Sequence, residues 1–170
     1  MSDLGEAMTE LIPRLRRFAR GLTGDPERAD DLVQDTLERA WTRAHLWRRE
    51  RGELRSWLFT ILRNLDRNDR RSAQRRPGVS TANTEELAQP IDEDATDAVF
   101  LAEVRGAVAR LPREQREVIL LVAVEQCSYA ETAAILDVPM GTVMSRLSRA
   151  RERLRTEMGE HPGPRIRRVK

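Results

Sequence analysis

The chain has 170 residues, 39% of them apolar and 34% charged, a composition that suits one or two globular domains with a heavily hydrated surface and argues against a wholly disordered protein. No apolar run approaches the roughly 20 residues that span a bilayer, and the acidic start "MSDLGEAMTE" lacks the basic-then-apolar order of a secretory signal, so a cytoplasmic protein without membrane insertion is expected. One cysteine, Cys127, has no disulfide partner and two histidines, His45 and His161, give no zinc-ligand spacing, so no metal, cofactor or redox chemistry is expected and Cys127 reads as a small core residue.

From the N-terminus, Leu4, Met8, Leu11, Leu15, Phe18 and Leu22 recur at helical spacing, with Pro13 placed to restart the helix as an early-turn residue. "TGDPERADDLVQDTLERAWTRAHLW" then opens a second helix, Asp25 as N-cap and Pro26 at the first helical position. Its expected buried face is Ala29, Val33, Leu37, Ala40 and Ala44. Opposite lie Glu27, Asp31, Asp35 and Glu38, an uncompensated acidic stripe whose i, i+4 repulsion costs a few tenths of a kcal/mol per pair. The stripe does not help the helix form; it suits either plain solvation or a basic protein partner.

A third helix is predicted from about Glu53 to Arg71 in "GELRSWLFTILRNLDRNDRR", burying Leu54, Trp57, Leu58, Ile61 and Leu65 and turning Thr60, Arg63, Asn64, Arg67, Arg70 and Arg71 outward. Trp41, Trp47, Trp57 and Phe59 interleave here with Arg48, Arg49, Arg51 and Arg55, as in proteins that hold unstacked bases. Trp41 and Trp57, on or beside apolar faces, read as core filler, and Trp47 in the connecting loop is the better base contact.

Over 72–97 the hydrophobic period disappears and Pro, Gly, Ser, Thr, Asn and acidic residues take over, which predicts a flexible linker. Charge divides with it: 15 basic against 13 acidic residues in 1–71, 2 against 6 in 72–97, and 13 against 9 in 98–170. Lys170 is the single lysine, and arginine's planar fork grips phosphates and base edges, although a GC-rich genome gives the same bias. The fold class is therefore all-α: two small helical domains, 1–71 and 98–158, joined by a flexible acidic linker and followed by a basic tail, 159–170. Lobes this small are marginal alone and gain from partners.

In the second lobe Leu101, Val104, Val108 and Leu111 form one helix stopped at "LP", and Pro112 begins another carrying Val118, Ile119 and Val122. "SYAE" at 128–131 fits a capping box opening a short helix that ends near Leu136. After "DVP", the segment "MGTVMSRLSRARERLR" places Val143, Leu147, Ala150 and Leu154 on one apolar stripe, with Thr142, Ser145, Arg146, Arg149 and Arg153 on the other side. Arginine is also a good helix former that pairs with Glu152 on a wet surface. Two helices across a tight turn make a helix-turn-helix, however, whose second helix enters the major groove by its N-terminal residues.

The ordered motifs "ADDLVQDTLERAW", "SWLFTILRNLDRNDRR", "LPREQREVILL" and "SYAETAAILDVPMGTVMSRLSRARERLR" closely resemble an extracytoplasmic-function (ECF) sigma factor of the sigma-70 family, over about residues 10–155. The resemblance implies a subunit that directs RNA polymerase to promoters. It places polymerase binding on Asp31, Gln34, Asp35 and Glu38, facing a basic coiled coil of the largest subunit's clamp, and docks the second lobe's other surface on the flap. It implies minus-ten reading and strand opening by Trp47, the "RRERGE" loop with Arg48 and Arg49, and Asn64, Arg67 and Arg71. Minus-thirty-five reading falls on Thr142, Ser145, Arg146, Ser148, Arg149 and Arg153. Many relatives carry arginine where this chain has Met144 and an aromatic or other side chain at Ser148, which puts the preferred bases in question. The family's linker runs through the RNA exit path, where a net −4 segment would stand in for RNA; plain spacing fits equally. An anti-sigma inhibitor is implied as a further partner.

No nucleotide-binding glycine loop, catalytic carboxylate pair or Ser-His-Asp set is present, so the chain is expected to be no enzyme and to take no small-molecule substrate. The alternative is a stand-alone helix-turn-helix regulator, which needs neither the acidic stripe nor the aromatic-arginine loop.

Overall fold

A computed structural model describes residues 2–47, 53–75 and 95–159. Every regular element among them is helical: α1 (Ser2–Thr23), α2 (Pro26–Thr42), a 3-10 turn (Ala44–Leu46), α3 (Leu54–Gln74), α4 (Ala95–Arg110), α5 (Arg113–Ile119) widening into a π-helical turn (Leu120–Val124), α6 (Tyr129–Leu136) and α7 (Met140–Met158). The two helical domains of the sequence reading are α1–α3 and α4–α7. Arg48 and Arg49, most of the linker and the basic tail lie outside the described residues. Among the described residues no helix is long and apolar enough to cross a membrane, and no cluster of His, Cys, Asp or Glu has metal-holding geometry.

In the first lobe, α1 and α2 meet at Gly24, whose φ of +71° turns the chain where a side chain would strain it. Asp25 caps α2, its carboxylate accepting from the backbone N–H of Glu27 and Arg28 at 2.9 and 3.2 Å, with Pro26 following. Phe18 of α1 meets Phe59 of α3 edge to face, ring centres 5.1 Å apart. Pro13 lies inside an unbroken α1 and restarts nothing. Met8 and Leu15, on either side of it, are both buried in the core, and that packing offsets the roughly 3 kcal/mol an interior proline costs a helix.

The buried face of α3 is rotated from the expected one: Leu58, Phe59, Leu62 and Asp66 are buried, while Leu54, Trp57, Ile61 and Leu65 pack half-buried around them. Trp41 is half exposed and not core filler; its ring edge lies across the start of α1, 3.6 Å from where a Cβ on Gly5 would sit. Leu101 is likewise exposed, and Ala107 takes its place in the buried face of α4.

The two lobes pack on each other, a contact the sequence reading did not place. One continuous apolar core runs through both, and α1 approaches the π-helical turn so closely that a methyl on Gly21 would lie 2.6 Å from Leu120 Cδ2. Around that contact sit buried charges. Glu125, fully buried at the end of the π-helical turn, accepts from Arg14 Nε at 3.0 Å and from Arg17 Nε at 2.7 Å. Arg113 donates to buried Asp66 and pairs with Glu117, which also faces Arg63 at 3.7 Å. Arg55 reaches Glu131 at 2.7 Å. Arg63 and Arg70, expected in the outward arc of α3, therefore lie partly buried against these groups. Several polar atoms here have no hydrogen-bond partner among the described residues, including Arg63 Nε, Asp66 Oδ1, Arg113 Nη1 and Arg116 Nε. Such a junction specifies one geometry, yet desolvation cancels much of its Coulomb gain, so it is suited to reversible closure.

Candidate protein-docking and nucleic-acid surfaces

On α2, burying Ala29, Leu32, Val33, Thr36 and Ala40 forces Glu27, Asp31, Asp35 and Glu38 outward, and all four are exposed. Thr36 is tolerated inside because its hydroxyl donates to the Leu32 carbonyl at 2.7 Å. Exposed Gln34 donates to Glu38 at 3.0 Å. Asp30 is neutralised by Arg16 at 3.1 Å, whereas Asp31, Asp35 and Glu38 form no ion pair among the described residues. The stripe is an unneutralised anionic ridge along about three helical turns.

α3 carries Asn64, Arg67 and Arg71 on one exposed ridge at spacings of three and four, which is one helical face. Trp47, just past the 3-10 turn, is half-buried, and its indole N–H has no partner among the described residues. No hydrogen bond ties it to the α3 ridge.

The helix-turn-helix is built as its sequence dictates. Ser128 Oγ accepts from the Glu131 N–H at 3.1 Å while the Glu131 carboxylate accepts from the Ser128 N–H at 2.7 Å, closing the capping box. That backbone hydrogen bond, with help from Arg55, holds the Glu131 carboxyl below its ordinary range. α6 ends on Asp137 at φ 52°, where the N–H groups of Asp137 and Val138 bond the carbonyls of Ala134 and Ala133 at 3.3 and 3.1 Å. This is a Schellman stop with aspartate in the left-handed place usually held by glycine. Half-buried Val138 then anchors the turn against the core.

Val143, Leu147 and Ala150 of α7 are buried and Leu154 packs beside them, as the stripe predicted. Ser145, Ser148, Arg149 and Arg153 are exposed, and Thr142 is half-buried at the flank. Arg146 differs from a free surface arginine: only 18% of its side chain is exposed and it pairs with Glu114 of α5 at 3.1 Å. It ties α7 to α5 in this form. Met140 and Met144 stand half exposed at the start of α7. Cys127 is buried, and burial raises its thiol above the usual range.

Among residues with a part in the structure, sequence reasoning missed Glu125, Asp66 and Glu117. The usable signal was a lone acid inside the apolar run "LLVAVEQC", and Asp66 one helical turn after buried Leu62.

Residues 8–63 match the family described as the Sigma2 domain of PhyR, and residues 101–154 match Sigma-70, region 4. The chain is 41% identical over 154 residues to the ECF RNA polymerase sigma factor EcfG of Rhodopseudomonas palustris, covering 89% of this chain and 83% of that protein. It is 37% identical over 150 residues to the ECF RNA polymerase sigma factor SigL of Mycobacterium tuberculosis, covering 86% and 83%. Its fold is similar to that of the sigma factor RpoE in a co-crystal with the anti-sigma factor NepR from Bartonella quintana. That match has a TM-score of 0.73 at 34% identity and covers 93% of this chain and 98% of the other. Another match, at TM-score 0.67 and 27% identity, is CnrH in complex with the cytosolic domain of CnrY; it covers 91% of this chain and 86% of that one.

Proposed function

Because the chain belongs to the ECF sigma factors of the sigma-70 family, which direct RNA polymerase to promoters and are not enzymes, we propose that its two lobes divide initiation by charge. The acidic ridge of Asp31, Asp35 and Glu38, with Gln34, docks on a basic coiled coil of the polymerase's largest-subunit clamp, and the second lobe's other surface docks on the flap. Asn64, Arg67 and Arg71, with Trp47, Arg48 and Arg49, take up the minus-ten element and hold its unstacked bases, the unstacking cost of a few kcal/mol being offset by polymerase binding. Thr142, Ser145, Arg146, Ser148, Arg149 and Arg153 meet the minus-thirty-five element, the arginines on phosphates and the residues near the start of α7 on base edges.

The packed lobes must part for this. Elements 25 base pairs apart along a duplex are separated by about 85 Å, whereas two touching lobes, each with a radius of gyration of about 11 Å, have centres far closer than that. The connection between Gln74 and Ala95 reaches about 70 Å when extended, which with the lobes' own size covers the span. Its acidic part lies in the RNA exit path as an anionic stand-in for RNA. The closed form is the resting state in the cytoplasm, and an anti-sigma factor engages the two lobes and keeps them from the polymerase; a similar sigma factor is found in complex with an anti-sigma factor.

The observation that carries this reading is the unneutralised acidic ridge on one lobe with the exposed arginines of α7 on the other. Run-off transcription with core polymerase on a genomic promoter library tests it: discrete transcripts that depend on this chain are expected. Duplex binding without any transcript would indicate a stand-alone regulator instead.

A further inference from the structure

Met140 and Met144 stand one helical turn apart at the start of α7, 52% and 50% exposed, while the next two apolar positions of that helix, Val143 and Leu147, are buried. They stand on the exposed flank of α7 beside that buried stripe, across the helix from Arg149 and Arg153. Around them the surface is low: Ser145 and Ser148 are small, and a side chain on Gly141 would meet nothing within 4 Å. Arg149 and Arg153, exposed further along α7, are placed to hold phosphates while the first turns go deeper. The N-terminal residues of the second helix of such a motif are the ones that reach base edges. In the major groove the one apolar feature of any base pair is the C5-methyl of thymine. A thioether side chain, flexible and polarizable, is suited to cover it.

We propose that Met140 and Met144 select thymine in the minus-thirty-five element by covering its methyl group, an inference that rests on the DNA-facing reading of α7. A guanidinium in their place would favour the O6 and N7 acceptors of guanine. The pair thus sets which bases are read, and Arg149 and Arg153 set how tightly the duplex is held.

The test uses holoenzyme assembled from the full chain and core polymerase, and a promoter selected from a library randomised across the minus-thirty-five element. Each thymine of the selected element is replaced in turn by deoxyuridine, which lacks only the methyl. Loss of one covered methyl is expected to weaken binding about fourfold at one or two positions. Met144→Leu should keep that sensitivity, Met144→Ala should lose it at one position, and Met144→Arg should move the preference there to guanine. Holoenzyme that holds the selected element but ignores every thymine-to-uracil change overturns the proposal, as does sensitivity that survives both Met140→Ala and Met144→Ala. If no minus-thirty-five sequence is selected at all, the proposal falls together with the DNA-facing reading, which separates the two failures.

Discussion

Replacing Glu125 by alanine should open the protein. Its carboxylate is fully buried and bridges Arg14 and Arg17 of α1, and breaking a buried pair by removing one partner costs roughly 3–5 kcal/mol. Here the stranded partners are not sealed in: the Arg14 and Arg17 side chains are 30% and 52% exposed and recover hydration once freed. Discounted for that screening, the loss is about 2 kcal/mol, a shift of roughly 30-fold towards the open form. Cys127 reports it, because it is buried between Glu125 and Glu131, which pair with Arg14 and Arg55 of the other lobe. Its alkylation rate should track the open fraction and rise by about the same factor, with the radius of gyration increasing in parallel. Arg17→Ala, a surface change that leaves folding safe, should move both readouts the same way by a smaller amount. Unchanged alkylation and radius in Glu125→Ala, with helix content intact by circular dichroism, would refute the closure argument.

Gly21→Ala should strengthen α1 by the roughly 1 kcal/mol that separates alanine from glycine in a helix yet open the lobes, because the added methyl collides with Leu120; higher helicity with faster Cys127 alkylation is the expected signature. Glu131 titrates below its ordinary value in the folded chain, so the stability it contributes is complete above the unfolded value of about 4.3 and is lost as pH falls through the depressed one. Protection of the amides at the start of α6, measured relative to their intrinsic exchange rate at each pH, should fall on acidification in that window, and Glu131→Gln should flatten the pH dependence. Arg149→Ala should weaken binding to a minus-thirty-five duplex, lower the slope of log K against log salt by about 0.9, and leave binding to core polymerase alone unchanged.

The elements that local chemistry decides were legible in the sequence. Asp25 with Pro26, the Ser128 and Glu131 box, and the Val143, Leu147 and Ala150 stripe each depend on neighbours within four residues, and each stands as expected. What escaped was decided by contacts distant along the chain. Pro13 reads as a break until Met8 and Leu15 are seen packed on either side of it. Arg63 and Arg70 read as surface because a charge in isolation belongs there, and Asp66 drew no reading; the other lobe's Glu117 facing Arg63 and its Arg113 on Asp66, which in turn faces Arg70, make burial tolerable. The acidic ridge was readable because it is defined by what α2 does not bury, whereas the tie between Arg146 and Glu114 needed the packing of α5 on α7.

The most direct test is association with core polymerase after reversing the charge of the ridge, Asp31→Lys with Asp35→Lys, both at exposed positions that leave the buried face of α2 untouched. Binding should fall at least about tenfold, as loss of a few charge-assisted contacts of about 1 kcal/mol each requires, while binding of α7 to a minus-thirty-five duplex stays the same. Full-strength association of the reversed chain with the polymerase would contradict the assignment of this face.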